Sequence, residues 1–151
     1  MIEPGTEAPE FTLKDQDGMR VSPSDFRGGK VMLCFYPADF SPACSDQLSI
    51  YQEVLGEIES RGARLLGISV DSIWSHRAFR EQLGLEIPLL ADFHPKGEVA
   101  ARYGAYLEEY GTSNRSLVLV DETGVVEWVH ESPTPLEIPG ANLIFDALAD
   151  R

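Results

Sequence analysis

At 151 residues and 43% hydrophobic, the chain suits one globular domain, residues 1–151, built around a single core. Twelve Lys and Arg against 25 Asp and Glu leave a net charge of −13. The cations are scattered, whereas nucleic-acid backbones require them clustered, so a nucleic-acid surface is excluded. No apolar run approaches the roughly 18 residues of a membrane span. The opening "MIEPGTEAPEF" lacks the basic and apolar regions of a signal peptide, so a cytoplasmic protein is expected.

In chain order, "FTLKDQDGMRV" reads as two short strands around an Asp-Gly turn. "KVMLCFY" is a continuous apolar run, as in a strand buried on both faces. From Ala43 the period changes: Leu48, Tyr51, Leu55 and Ile58 follow helical spacing, and Gly62 is a plausible stop. "ARLLGISVD" is a second buried strand. Ser72 then suits the N-cap of a helix carrying Trp74, Ala78, Phe79 and Leu83. "IPLLAD" predicts a strand, "KGEVAARYG" a short helix and "RSLVLVDETGVVEWVH" a hairpin. Pro133, Pro135 and Pro139 interrupt the chain before a last helix, "ANLIFDALAD". Strand-helix alternation requires parallel strands with right-handed crossovers, and the hairpin adds antiparallel ones. The expected fold is therefore α/β and thioredoxin-like: a central mixed sheet flanked by helices, with an N-terminal β-hairpin.

Two cysteines ten residues apart make neither a disulfide framework nor a zinc knuckle, and His76, His94 and His130 stand alone. Cys34 lies mid-strand between Leu33 and Phe35, where apolar surroundings leave a thiol inert. Cys44 differs. Pro37 ends the strand and Pro42 suits the first helical turn, which places Cys44 among unpaired N–H groups that favour an anion. Asp39 and Asp46 flank it with adverse charge, so a cation must come from elsewhere. In this fold the strand beginning at Arg115 would run antiparallel to the one ending at Tyr36 and so start beside Cys44, which leaves Arg115 either as that cation or as a solvated charge at a strand end. A dithiol oxidoreductase would carry Cys-x-x-Cys here, but the tetrad is "SPAC", with Ser41 in the first position. A thiol–disulfide oxidoreductase and a non-catalytic interaction module remain as alternative readings.

"PADFSPAC", Pro37 to Cys44, resembles the Pro-x-x-x-Thr/Ser-x-x-Cys signature of the peroxiredoxins. The likeness extends over "PGTEAPEFTLKDQDG", "GISVDSIWSHRAF" and "LLADFHPKGEVAARYGAY…NRSLVLVDETGVV", nearly the whole chain. It is nearest to the one-cysteine alkyl hydroperoxide reductase E type, then to the bacterioferritin-comigratory type. The resemblance implies a thiol-dependent peroxidase for hydrogen peroxide and organic hydroperoxides. Cys44 would be the nucleophile that becomes a sulfenic acid, Ser41 and Arg115 would hold the peroxide, and Pro37 would shield the thiolate. Gln47 would orient the arginine. No metal or other cofactor is implied. Where related chains carry a resolving cysteine, five residues after the nucleophile, this one has Ser49. The implied cycle uses one cysteine and an external reductant, either a low-molecular-weight thiol or a thioredoxin- or glutaredoxin-like protein.

The chemistry needs all these parts. A free thiol with a pKa of about 8.5 is only a few per cent thiolate at pH 7. Lowering the pKa to about 6 gains roughly thirtyfold, whereas one well-placed donor on the breaking bond can give roughly 10²–10³. Family members commonly pair through the face around the active-site loops, which here implies a homodimer through Phe40 and the "DFHP" segment. Trp74 and Trp128 are expected as core or interface anchors, and His76 as a solvated or capping residue.

Overall fold

The computed structural model describes residues 1–149. A seven-stranded sheet, in the order β2-β1-β5-β4-β3-β8-β9, forms its centre. The strands are β1 (Leu13–Lys14), β2 (Arg20–Val21), β3 (Lys30–Phe35), β4 (Ala63–Ser69), β5 (Leu89–Ala91), β8 (Ser116–Val120) and β9 (Val126–Glu131). Tyr106–Leu107 (β6) and Thr112–Ser113 (β7) make a separate two-stranded ribbon. The helices are α1 (Pro42–Glu53), α2 (Leu55–Ser60), α3 (Ile73–Leu83), α4 (Glu98–Arg102) and α5 (Ala141–Leu148).

β3 is buried along its whole length, as its unbroken apolar run requires. Met32 and Cys34 face a core that includes Cys44, Leu48, Tyr51, Ile58, Phe79 and Ile144, from α1, α2, α3 and α5. Val31, Leu33 and Phe35 face a second core with Phe11, Val99 and Tyr103, beside α4. β3 pairs in parallel with β4 and antiparallel with β8, and the sheet is covered by helices on both faces. This is the expected α/β thioredoxin-like architecture, including the N-terminal β1–β2 hairpin.

Several details differ from the sequence reading. The single helix expected from Ala43 to Gly62 is two. Val54, at φ −112° and ψ 10°, breaks it, and its N–H turns back to Tyr51 and Gln52. The bend keeps Leu55 and Ile58 against the same core as Leu48 and Tyr51. The β6–β7 ribbon and a 3-10 turn at Pro23–Phe26 are too short to leave a periodic signal. Of the last helix, Asp150 lies outside the described residues. Trp74 is not a core residue: it is 69% exposed. Trp128 is half-buried and packs against the core that holds Cys44. No described helix is long and apolar enough to cross a membrane.

Candidate active site

The site forms where β3 ends and α1 begins. Ser41 is the N-cap of α1, with Pro42 at the first helical position, where a missing N–H costs nothing. The Ser41 Oγ accepts a hydrogen bond from the Cys44 N–H at 3.3 Å. Cys44 therefore sits in the first turn, at the positive end of the helix, and is fully buried. Pro37 is half-buried at the start of the connecting loop. Phe40, in the same loop, has φ +68°, a left-handed conformation that bulky side chains avoid.

Sheet register supplies the cation. Phe35 pairs with Ser116 across the β3–β8 ladder, so Arg115, one residue earlier, emerges where β3 ends. Arg115 is 2% exposed, and its guanidinium is engaged on three sides. Nη2 donates to Cys44 Sγ at 3.4 Å, Nη1 to Gln47 Oε1 at 2.5 Å, and Nε to the Pro135 carbonyl at 2.7 Å. Gln47, also fully buried, donates through Nε2 to Tyr51 Oη at 3.1 Å, and the Tyr51 hydroxyl donates to the Pro139 carbonyl at 2.6 Å. The Pro135–Pro139 segment thus grips both ends of an Arg115–Gln47–Tyr51 chain and fixes the fork of the guanidinium relative to the sulfur. The structure brings Cys44, Ser41, Arg115 and Gln47 into direct contact, with Pro37 on the loop that leads to them.

Cys34 lies one layer deeper, on β3, and is free and fully buried. Burial pushes its thiol up to about 12, against a smaller lowering effect of Arg115. The flanking acids behave differently from expectation. Asp46 is exposed. The Asp39 carboxylate is buried and turns toward α3, where it accepts from His76 Nδ1 at 2.8 Å and Ser75 Oγ at 2.8 Å. His76 is accordingly neither solvated nor a helix cap: it has no exposed surface, and Ser72 caps α3 instead. Among the described residues, Asp39, Asp71 and His76 are the one group of three such side chains able to share a metal ion, with ligand atoms within 4.8 Å of one another. Asp39 comes from the site loop, and Asp71 and His76 from either side of the start of α3, a pairing that no metal-ligand spacing in the sequence marks. Their atoms are already occupied by hydrogen bonds: Asp71 Oδ2 accepts from the Asp39 N–H at 2.8 Å and from Ser69 Oγ at 2.6 Å.

Sequence reasoning missed Tyr51 and the two proline carbonyls. Tyr51 carried a usable signal, since it lies four residues after Gln47 on the same helical face. Backbone carbonyls carry none.

A buried thiol at a helix start, facing a fixed guanidinium on a thioredoxin-like sheet, is the arrangement of a thiol enzyme. The AhpC/TSA family model matches residues 4–129, so the chain belongs to that family. It is 37% identical to alkyl hydroperoxide reductase E of Mycobacterium tuberculosis over 150 residues, 99% of this chain and 97% of that protein. It is 36% identical to the chloroplastic peroxiredoxin Q of Oryza sativa subsp. japonica, over 87% of this chain and 60% of that one. The crystal structure of the peroxidoxin BcpB from Mycobacterium tuberculosis superposes with a TM-score of 0.89 at 27% identity, covering 100% of this chain and 99% of that one. The protein is a peroxiredoxin, a thiol-dependent peroxidase.

Proposed function

We propose that this peroxidase reduces hydrogen peroxide and organic hydroperoxides through Cys44 in a one-cysteine cycle. The observation that carries the reading is the 3.4 Å contact from Arg115 Nη2 to Cys44 Sγ at the capped start of α1. The sulfur attacks one peroxide oxygen, an S–O bond forms and the O–O bond breaks. The leaving oxygen takes a proton and departs as water or alcohol. Arg115 and the Ser41 hydroxyl are the donors for the oxygens as charge shifts along the breaking bond. Pro37 limits water at the sulfur, and Gln47 sets the angle of the guanidinium. An external thiol then attacks the sulfenic acid, releasing water, and a second thiol frees Cys44. That thiol is either small or carried by a thioredoxin- or glutaredoxin-like protein.

Cys34 is a poor resolving partner because it is a buried core thiol pushed up to about 12, and Ser49 offers no sulfur. Cys44→Ser should abolish peroxide consumption, and Cys34→Ser should leave it within twofold; equal losses in both would refute the assignment.

The reading extends to residues 1–151 acting as one domain, in the cytoplasm and as a homodimer. Two free thiols and a cycle that needs a thiol reductant suit a reducing compartment. Support for the dimer comes from Phe40, Trp74 and Phe93, which are 46%, 69% and 56% exposed. Phe40 lies on the site loop, and Trp74 and Phe93 line a cleft of about 720 Å³ with Leu13 and Ile73. Trp74→Glu should shift the chain toward monomer in sedimentation experiments; an unchanged mass would place the interface elsewhere.

A further inference from the structure

The site loop is held from the side opposite the arginine, and the residues that hold it take no part in the contacts around Cys44. Asp39, between Pro37 and Ser41, is 8% exposed, and its carboxylate gathers three donors. Tyr36 Oη donates to Oδ1 at 2.6 Å, while Ser75 Oγ and His76 Nδ1 donate to Oδ2, both at 2.8 Å. The other His76 nitrogen, Nε2, lies 3.0 Å from the Leu90 carbonyl, an acceptor. Each ring nitrogen thus faces an oxygen, and His76 and Asp39 pair with neither side chain exposed. The backbone is tied as well, from the Asp39 N–H to Asp71 Oδ2 at 2.8 Å. One residue on, the Phe40 ring packs on Phe79 of α3, with centroids 5.1 Å apart. The carboxylate of Asp39 and the ring of Phe40 thus both anchor on α3, around the left-handed Phe40 backbone.

We infer that Asp39 and His76, with Ser75, are positioning residues for peroxide reduction: their buried hydrogen-bonded cluster fixes the Pro37–Ser41 loop and so aims the Ser41 hydroxyl and the Pro37 shield at the peroxide. The inference rests on the assignment of Cys44 as the nucleophile. Its logic is a division of labour. Arg115 is fixed by Gln47 and the Pro135 carbonyl, neither of which belongs to the loop. Loosening the Asp39 anchor leaves the guanidinium on the sulfur but frees the groups that meet the O–O bond. Burial, and after it the Asp39 charge, hold the Tyr36 hydroxyl well above its usual range, so it remains a donor to the carboxylate.

Two reactions at one pH separate positioning from thiol activation. Oxidation of Cys44 by hydrogen peroxide needs the O–O bond held, whereas alkylation by iodoacetamide needs only the reactive sulfur. His76→Gln should slow peroxide oxidation about tenfold or more and Ser75→Ala about threefold, with alkylation of each within twofold of wild type. Peroxide rates within twofold of wild type in both folded variants, or peroxide and alkylation rates falling together, would overturn the inference. If His76→Gln does not fold, Ser75→Ala decides alone, and an unchanged peroxide rate there overturns it. A wild-type Cys44 that peroxide does not oxidise would refute the nucleophile assignment itself, a separate failure.

Discussion

Replacing Arg115 by Lys keeps the charge and removes the fork, which separates geometry from electrostatics at this site. The guanidinium makes three directed contacts, at 3.4 Å to Cys44 Sγ, 2.5 Å to Gln47 Oε1 and 2.7 Å to the Pro135 carbonyl. One ammonium on a flexible stem cannot meet all three. If it follows the sulfur, two acceptors lose their donor, each costing about 1–3 kcal/mol where water cannot replace it. Gln47 is fully buried and bears that cost, whereas Pro135 is half-buried and its carbonyl can rehydrate. The expected destabilisation is about 1–3 kcal/mol, read by urea denaturation. A donor lost from the breaking bond costs about 10²–10³ in rate, so Arg115→Lys should react with hydrogen peroxide about a hundredfold more slowly under conditions where it is folded. A rate within threefold of wild type would show that positive charge alone suffices and would refute the geometric argument.

Three further outcomes follow from particular contacts. Tyr51→Phe removes the hydroxyl that joins Gln47 to the Pro139 carbonyl, and should lower stability by about 1–3 kcal/mol and speed proteolysis of the 132–140 segment; an unchanged cleavage rate would show that segment to be held elsewhere. At Gly67, opposite Cys34 in the β3–β4 register, an added Cβ would lie 2.7 Å from Leu89 Cδ2 and 3.2 Å from Tyr36 Cε1. Gly67→Ala should therefore cost about 1–3 kcal/mol in urea, and a neutral result would mean that Leu89 moves aside. Burial raises the Asp92 carboxyl above its ordinary 3.8, although the Ala100 and Val99 N–H groups oppose the rise. Between those two values the folded chain holds a proton that the unfolded chain has released, so the stability contributed by Asp92 falls as pH increases through that window. Asp92→Asn should flatten that part of the stability profile, and an identical slope in both proteins would contradict this.

What could be read from the sequence was local, or followed from topology. Pro37, Ser41 and Cys44 lie within one turn and one helix start, so their mutual geometry follows from short-range rules. Arg115 is 71 residues from Cys44, yet sheet direction alone brings it to the right end of β3. Gln47 needed the family resemblance, because a buried amide in a helix has no distinguishing pattern. The supports of the site were not legible. Pro135 and Pro139 act through carbonyls, which every residue has. Asp39 looked like adverse charge on Cys44, and His76 like a surface residue, because the hydrogen bonds that turn them toward each other depend on packing between the loop and α3. The break at Val54 was similarly hidden, since Leu55 and Ile58 keep the apolar spacing of a continuous helix.

The most direct test of the central claim is mass spectrometry of the reduced protein after one equivalent of hydrogen peroxide, with and without a 1,3-dione that traps sulfenic acid. The account predicts one trapped adduct, on Cys44, with Cys34 unmodified and no disulfide within the chain, and full recovery of the Cys44 thiol when an external thiol is added. A Cys34–Cys44 disulfide, or an adduct on Cys34, would contradict it.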